Sequence, residues 1–352
     1  MPLSRPAEFT VLATCIGGEL APQSVLLMQQ SRRHRIRVVG VDASADAPGR
    51  HLVDEFHVVP RGDDPGYVEA VARIARQAKV DLVLPLSDEE AVALAGARGA
   101  IEEGSRRLAC TDVETIRVMA SKEKTYRWLA AHGFAVPEWT VVDDARDLEG
   151  RIDDILGRRG EVVVKPSEAR GGRGAVVIRR DISGVQRLPG MREIHADPRS
   201  FRTELLADYA QHLPAIVMQR LAEPVHDVDL LGWQGKPLRV IPRRRLDSMR
   251  PNEGHTVLDS KLLDAIGRRL IQELRLNWLY DCDAMFDAAG TPYVVEINPR
   301  PSGSVGVSVT AGVPLFDDLV SLAKGEPVAD VDVPFGRVVV PYRALQVRRH
   351  DA

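Results

Sequence analysis

Short β-branched runs alternate with helix-period stretches through the first third of the chain, and this alternation limits the fold more than any other feature. Phe9–Cys15 reads as a strand leading into Gly17-Gly18, Ser24–Gln30 has a helical pattern, and Ile36–Val41 is a second strand finishing on Asp42. Val68, Val71, Ile74, Ala75 and Ala78 recur at helical spacing before Asp81–Leu86, a compact run of the buried-strand kind. Strands joined in this way lie parallel, with the helices covering the sheet. Functional groups in such sheets gather beyond the carboxyl ends of the strands. Here those ends carry Gly17-Gly18, Asp42 and Ser87-Asp88-Glu89-Glu90. A dinucleotide site does not follow, because Cys15-Ile16-Gly17-Gly18-Glu19-Leu20 lacks the G-x-G-x-x-G spacing that lets backbone amides approach a pyrophosphate. Gly17-Gly18 reads instead as a tight strand-to-helix turn.

The texture then changes. Thr111-Asp112 caps a helix carrying Val113, Ile116 and Met119, and helical character runs from Lys122 to Ala131, stopping at His132-Gly133 before Pro137. From Glu161 onward the pattern is one of strands and hairpins: Val162–Lys165, Ala175–Arg179, Ile216–Gln219, Asp227–Gly232, and the pair Asp283–Asp287 and Tyr293–Asn298. Leu263, Ile266, Leu270, Ile271 and Leu274 mark an amphipathic helix between them. Length and this change of texture divide the 352 residues into an N-terminal unit (1–112), a linker helix with a lid (113–218) and a C-terminal unit (219–352). Lys plus Arg is 47 against 50 Asp plus Glu, a net charge of −3, which argues against a nucleic-acid partner. No apolar run approaches the ~20 residues of a membrane span. Cys15, Cys110 and Cys282 are odd in number and far apart, as expected of a cytoplasmic protein without a disulfide framework.

Asp283–Gly303 (DAMFDAAGTPYVVEINPRPSG) is the most informative stretch. A hairpin turning at Ala288-Ala289-Gly290 sets Asp283 opposite or nearly opposite Glu296. Opposed Cβ atoms lie about 5 Å apart, so two carboxylates there repel unless something sits between them. Asn298, two residues on, shares the face of Glu296. Two carboxylates and an amide oxygen form an all-oxygen set suited to Mg²⁺, and Arg300 follows as a fork for phosphate or carboxylate. The alternative is a surface hairpin with scattered charges. Val162-Val163-Val164-Lys165-Pro166 precedes Gly171-Gly172-Arg173-Gly174, a strand lysine ahead of a glycine loop able to fold amides over phosphates. Lys122 adds a cation on the preceding helix or is simply solvated. Ile216–Leu221 reads either as a core strand or as an adenine-holding linker.

Together these segments resemble the ATP-grasp superfamily, in texture the carbamoyl phosphate synthetase large chain and related carboxylate–amine ligases. Ser121–Trp139 is similar to the family's lysine-bearing segment and Val162–Gly174 to its lid strand and phosphate loop. Val217–Leu221 resembles its adenine linker, with Gln219 where the family usually has Glu. Gly254–Ser260 resembles a loop near the synthetase's phosphorylation site, and Val294–Ser304 resembles the magnesium motif.

The resemblance implies an α/β chain: an N-terminal Rossmann-like parallel sheet domain followed by a two-lobed α+β ATP-grasp module. It implies ATP contacts at Lys122, Lys165, Gly171, Gly172, Arg173, Gly174, Gln219, Arg220, Leu221 and Asp227. Mg²⁺, with Mn²⁺ as an alternative, falls to Asp283, Glu296 and Asn298, and catalytic roles fall to Lys165, His255 and Arg300. The implied activity is a ligase that activates a small carboxylate as an acylphosphate, giving ADP and phosphate, and joins it to an amine. Two other readings stay open: an enzyme phosphorylating bicarbonate, and a non-catalytic ATP-binding module. The substrates stay unnamed, self-association is left open, and Arg243-Arg244-Arg245, Ser87, Asp88 and Glu89 are candidates for binding them.

Overall fold

The computed structural model describes residues 8–167, 174–187, 193–250 and 252–342 and contains three sheets. The first holds β1 (Glu8–Ala13), β2 (Arg35–Asp42), β3 (Glu55–Val58), β4 (Leu82–Leu84) and β5 (Arg107–Leu108) in the order β3-β2-β1-β4-β5. Every pairing in it is parallel, as the strand–helix alternation requires. Its helices include α1 (Ala21–Gln29), α2 (Tyr67–Gln77) and α3 (Asp88–Gly96). The strand order reverses between β1 and β4, so the crevice at their carboxyl ends lies at a topological switch point.

Two helices lead out of this unit, α4 (Val113–Met119) and α5 (Lys122–Ala131). The second sheet comprises β6 (Trp139–Val142), β7 (Glu161–Pro166), β8 (Val176–Arg179), β9 (Val185–Gln186), β10 (Ile194–Ala196) and β11 (Ala215–Gln219), ordered β6-β11-β7-β8-β10-β9. Helix α6 (Ala145–Arg159) covers it, burying Leu148, Ile152, Ile155 and Leu156, and ends on Gly160 at φ 82°, a left-handed conformation that glycine adopts without strain. These side chains and Val142, Val162, Val164, Val176 and Val217 of the sheet form a core of their own, whereas Val163 and Val177 on its other face join the main one.

The third sheet runs β16-β15-β12-β13-β14-β17, formed by β12 (Ala222–Trp233), β13 (Lys236–Arg245), β14 (His255–Val257), β15 (Trp278–Phe286), β16 (Pro292–Asn298) and β17 (Val338–Val339). Strand side chains alternate between faces. Leu230 and Val240 therefore meet α7 (Lys261–Glu273), whose Leu263, Leu270 and Ile271 are buried. Asp227, Asp229, Arg243 and Arg245 point the other way. The contact with α7 is close because Gly267 has no side chain: a Cβ there would lie 2.5 Å from Val240 Cγ1 and 2.9 Å from Leu230 Cδ2.

The first unit docks on the third sheet through α9 (Leu315–Ala323), which follows the short α8 (Gly306–Ala311). Arg33 and Arg239 both reach the buried Asp318, at 3.9 and 2.5 Å, and Tyr280 Oη accepts the Thr111 N–H at 2.6 Å. Among the described residues no helix is long and apolar enough to cross a membrane. Gly267→Ala is expected to destabilise the chain by about 1–3 kcal/mol, because an added methyl must displace two β-strand side chains. A lowered thermal midpoint checks this.

Candidate active site

The site grows from one feature of the sequence: two Asp-x-Asp pairs, Asp227-Val228-Asp229 and Asp281-Cys282-Asp283, on adjacent central strands. A strand's period of two places both members of each pair on one face. Register then lines them up, with Glu296 opposite Asp283, Asp283 opposite Asp227 and Asp227 opposite Arg243 across four strands. A second row sets Asn298 opposite Asp281 and Asp281 opposite Asp229. The predicted pairing of Asp283 with Glu296 is the pairing observed.

Five carboxylates on one buried face require cations, and both edges supply them. Arg245 forks onto Asp227 with bonds of 2.8 and 2.9 Å and reaches Asp283 at 2.8 Å. Arg243, fully buried, donates to Asp229 at 2.8 Å and to the Ser304 hydroxyl and carbonyl at 2.8 and 3.0 Å. Arg244, between them, is exposed. His255 is also fully buried, with Nε2 2.9 Å from Asp227 Oδ2. On the far row, Lys122 Nζ lies 2.8 Å from Glu296 Oε1.

The electrostatics follow from burial and partners. Burial alone raises a carboxyl's pKa. Arg245 and His255 overcome this at Asp227 and hold it well below the ordinary value, and Lys122 does the same for Glu296. Asp283 is pushed up to about 6 by burial, with Arg245 opposing and the Asp227 and Glu296 charges adding to the rise. Burial also raises Asp281 and Asp229. Asp281 Oδ2 accepts from the Asn298 amide at 3.0 Å, whereas its Oδ1 has no hydrogen-bond partner and lies 3.9 Å from Arg243. Carboxylate oxygens of Asp227, Asp281 and Asp283 lie within 4.8 Å of one another. An oxygen-only donor set with a partnerless buried oxygen among it fits a hard divalent cation.

The other sequence candidates surround this face. Ser121 caps α5 by accepting the Lys124 N–H, so Lys122 is its first helical residue. A lysine there opposes the helix dipole, and Glu296 compensates. Lys165, on β7, is buried, and its ammonium donates to the Tyr126 hydroxyl at 3.1 Å. Burial lowers its pKa, against the pull of Glu296, Glu193 and Asp283. Ser87 likewise caps α3, making Asp88 its first residue, and Asp88 Oδ1 meets Arg300 Nε at 2.9 Å. The strand ends at Asn298, and Arg300, two residues on, donates to Asn298 Oδ1 at 3.4 Å and reaches Asp88 of the N-terminal unit. Gln219 accepts the Glu138 N–H at 3.2 Å, Arg220 forks onto Glu193 at 2.9 Å, and Leu221 is buried. Asp227, expected near a nucleotide, is engaged by Arg245 and His255. Gly174 takes φ 76°, whereas Gly171, Gly172 and Arg173 lie outside the described residues.

Comparison with known proteins fits this geometry. Residues 211–344 match the model of "ATP-grasp in the biosynthetic pathway with Ter operon", and residues 16–106 match "PylC-like, N-terminal domain". A formate-dependent phosphoribosylglycinamide formyltransferase from Bordetella parapertussis is 29% identical over 180 residues, 51% of this chain and 41% of that protein. The chain thus matches less than half the length of this relative. Among solved structures, the ADP complex of N5-carboxyaminoimidazole synthetase from Staphylococcus aureus superposes with a TM-score of 0.64 at 16% identity, covering 92% of this chain and 79% of its own. The biotin carboxylase domain of the Hydrogenobacter thermophilus 2-oxoglutarate carboxylase gives 0.65 at 16%, covering 93% and 72%. The fold is that of these solved structures, and the sequence resembles the ATP-grasp model over residues 211–344 and the PylC-like model over residues 16–106.

The sequence pattern singles out Asp283, Glu296 and Asn298 but not Asp229, Asp281 or Tyr126, which the structure brings to the same region. The signal for the aspartates was present in the repeated Asp-x-Asp spacing on strand-like runs. Replacing Arg243 with Met strands Asp229 without its cation inside the sheet. The expected cost is about 3–5 kcal/mol. Adding Asp229→Asn to that variant should recover part of the loss, read as the midpoint of urea denaturation.

Proposed function

We propose that the chain is an ATP-dependent, ADP-forming carboxylate–amine ligase acting on small molecules. The observation that carries this reading is the acidic row Glu296–Asp283, each member matched to a cation, beside the buried Lys165. Glu296 and Asp283, with Asn298, would hold Mg²⁺ or Mn²⁺, which when bound neutralises terminal phosphate charge. Lys122 and Lys165 would bind phosphate oxygens, and their burial strengthens that attraction. Arg300, anchored by Asp88, would orient a substrate carboxylate toward the γ-phosphorus. Attack there gives an acylphosphate and ADP, and an amine then displaces phosphate. The protein's part is to position reactants, stabilise charge and exclude water from the acylphosphate. The N-terminal sheet unit, lid and C-terminal unit, divided near 113 and 219, would close around that centre. Three free cysteines suit a reducing cytoplasm.

The test is ADP and phosphate release from Mg-ATP with pooled amino acids and small carboxylates. Stimulation by a carboxylate–amine pair is the expected result. Stimulation by bicarbonate alone would favour the carboxylating alternative, ATP binding without turnover the non-catalytic one, and release of AMP and pyrophosphate would exclude the acylphosphate route. Glu296→Ala should lower turnover by about 10²–10³-fold.

The raised Asp283 carboxyl adds a pH dependence. Its value in the fold, about 6, lies above the ordinary carboxylate value, so the folded chain holds this proton more tightly than the unfolded chain. Folded stability without a cation should therefore decline as pH rises from about 4 toward 6, other groups being equal. Cation affinity should rise through the same interval, because the proton competes with the metal. Calorimetric Mg²⁺ titrations below and above this value check the sign.

A further inference from the structure

Near the acidic face lies a cavity of about 70 Å³ whose apolar walls none of the roles above uses. Leu20 from the β1–α1 turn, Val307 at the start of α8, and Val340 and Tyr342 beyond β17 form its walls. Ser304 and His255 also line it. Each leads to the centre in a few contacts. Ser304 holds Arg243, which lies 3.9 Å from Asp281, and His255 bonds Asp227, which shares Arg245 with Asp283. The cavity is therefore joined to the acidic face through Arg243 and Asp227.

Its chemistry is selective. No Lys, Arg, Asp or Glu is among its described lining residues, and its polar lining beside His255 is the uncharged set Gln23, Asn252, Ser304 and Thr310. A phosphorylated or carboxylated tail would enter without a counter-charge, at the cost of its hydration. An aliphatic group loses nothing polar and gains burial, about 0.8 kcal/mol per methylene. One water occupies roughly 10–15 Å³ on this measure of volume, so the space suits about five or six heavy atoms. His255 Nδ1 is buried with no hydrogen-bond partner among the described residues, which leaves one polar group at the wall unmatched.

We propose that this cavity receives the aliphatic side chain of an amino-acid substrate and selects against phosphorylated and acidic ones. The assignment rests on the ligase reading, because adjacency to the acidic face gives the side chain its orientation. It also separates this chain from the relative whose name specifies a phosphoribosyl substrate.

The test begins with direct binding, so that it does not depend on turnover. L-leucine, L-aspartate and O-phosphoethanolamine are titrated calorimetrically into the full chain, with and without Mg-ATP. Leucine alone should bind, and Val340→Asp should weaken it at least about tenfold while leaving ATP affinity unchanged. Val340 is 59% exposed, so this variant is expected to fold. Val340→Lys should shift preference toward aspartate, a gain that misfolding does not produce. Absence of leucine binding in both states, preference for the charged probes, or an unchanged leucine affinity in Val340→Asp would each overturn the proposal. Leucine binding without any ATP binding would overturn the ligase reading and leave the cavity assignment standing.

Discussion

The structure depends on the neutralisation of an acidic sheet face. Asp227, Asp229 and Asp281 project into space that water barely reaches, and Asp283 and Glu296 extend the same face, half-buried, across three neighbouring strands. Without cations such a face would not close. Arg243 and Arg245 supply them from β13, and Lys122 supplies one from α5, so the packing of α5 against β16 is electrostatic as well as steric. A buried pair is weak grounds for stability in itself, but breaking one is costly. The row therefore sets the register of the third sheet more firmly than its apolar face, where one aliphatic side chain substitutes readily for another.

The same neutralisation prepares the site for chemistry. Asp283 and Glu296 each already hold a positive partner, Arg245 and Lys122. On the proposed function, an arriving cation would take over part of that role and leave the basic side chains available to phosphate. Preorganised charge of this kind needs little rearrangement during a reaction, which is where electrostatic catalysis gains its advantage.

Much of this was legible in the sequence, and the physical reason is periodicity. The strand–helix alternation to Leu86 specified a parallel sheet, and hairpin arithmetic placed Asp283 opposite Glu296, because local spacing alone decides both. Arg243 and Arg245 pointing inward with Arg244 outward is the same arithmetic. What spacing does not encode is contact between distant elements. The meeting of Asp88 with Arg300 spans 212 positions and depends on how the first unit docks. Tyr126 passed as an ordinary helical aromatic, yet its hydroxyl accepts from Lys165 and donates to the Val295 carbonyl at 3.0 Å. Asp229 has Ile241 as its register partner, and its cation, Arg243, reaches it diagonally from two positions further along β13.

The Asp88–Arg300 contact bears on how such a chain can be divided. Arg300 sits in the part matched by the ATP-grasp model, and Asp88 in the part matched by the PylC-like one. A fragment holding only the former would leave its guanidinium facing solvent where a carboxylate had fixed its direction. The two units are thus modular in sequence but not in chemistry. Grafting this C-terminal half onto a foreign parallel-sheet domain would require that domain to present an acid at the first turn of the helix after its fourth strand.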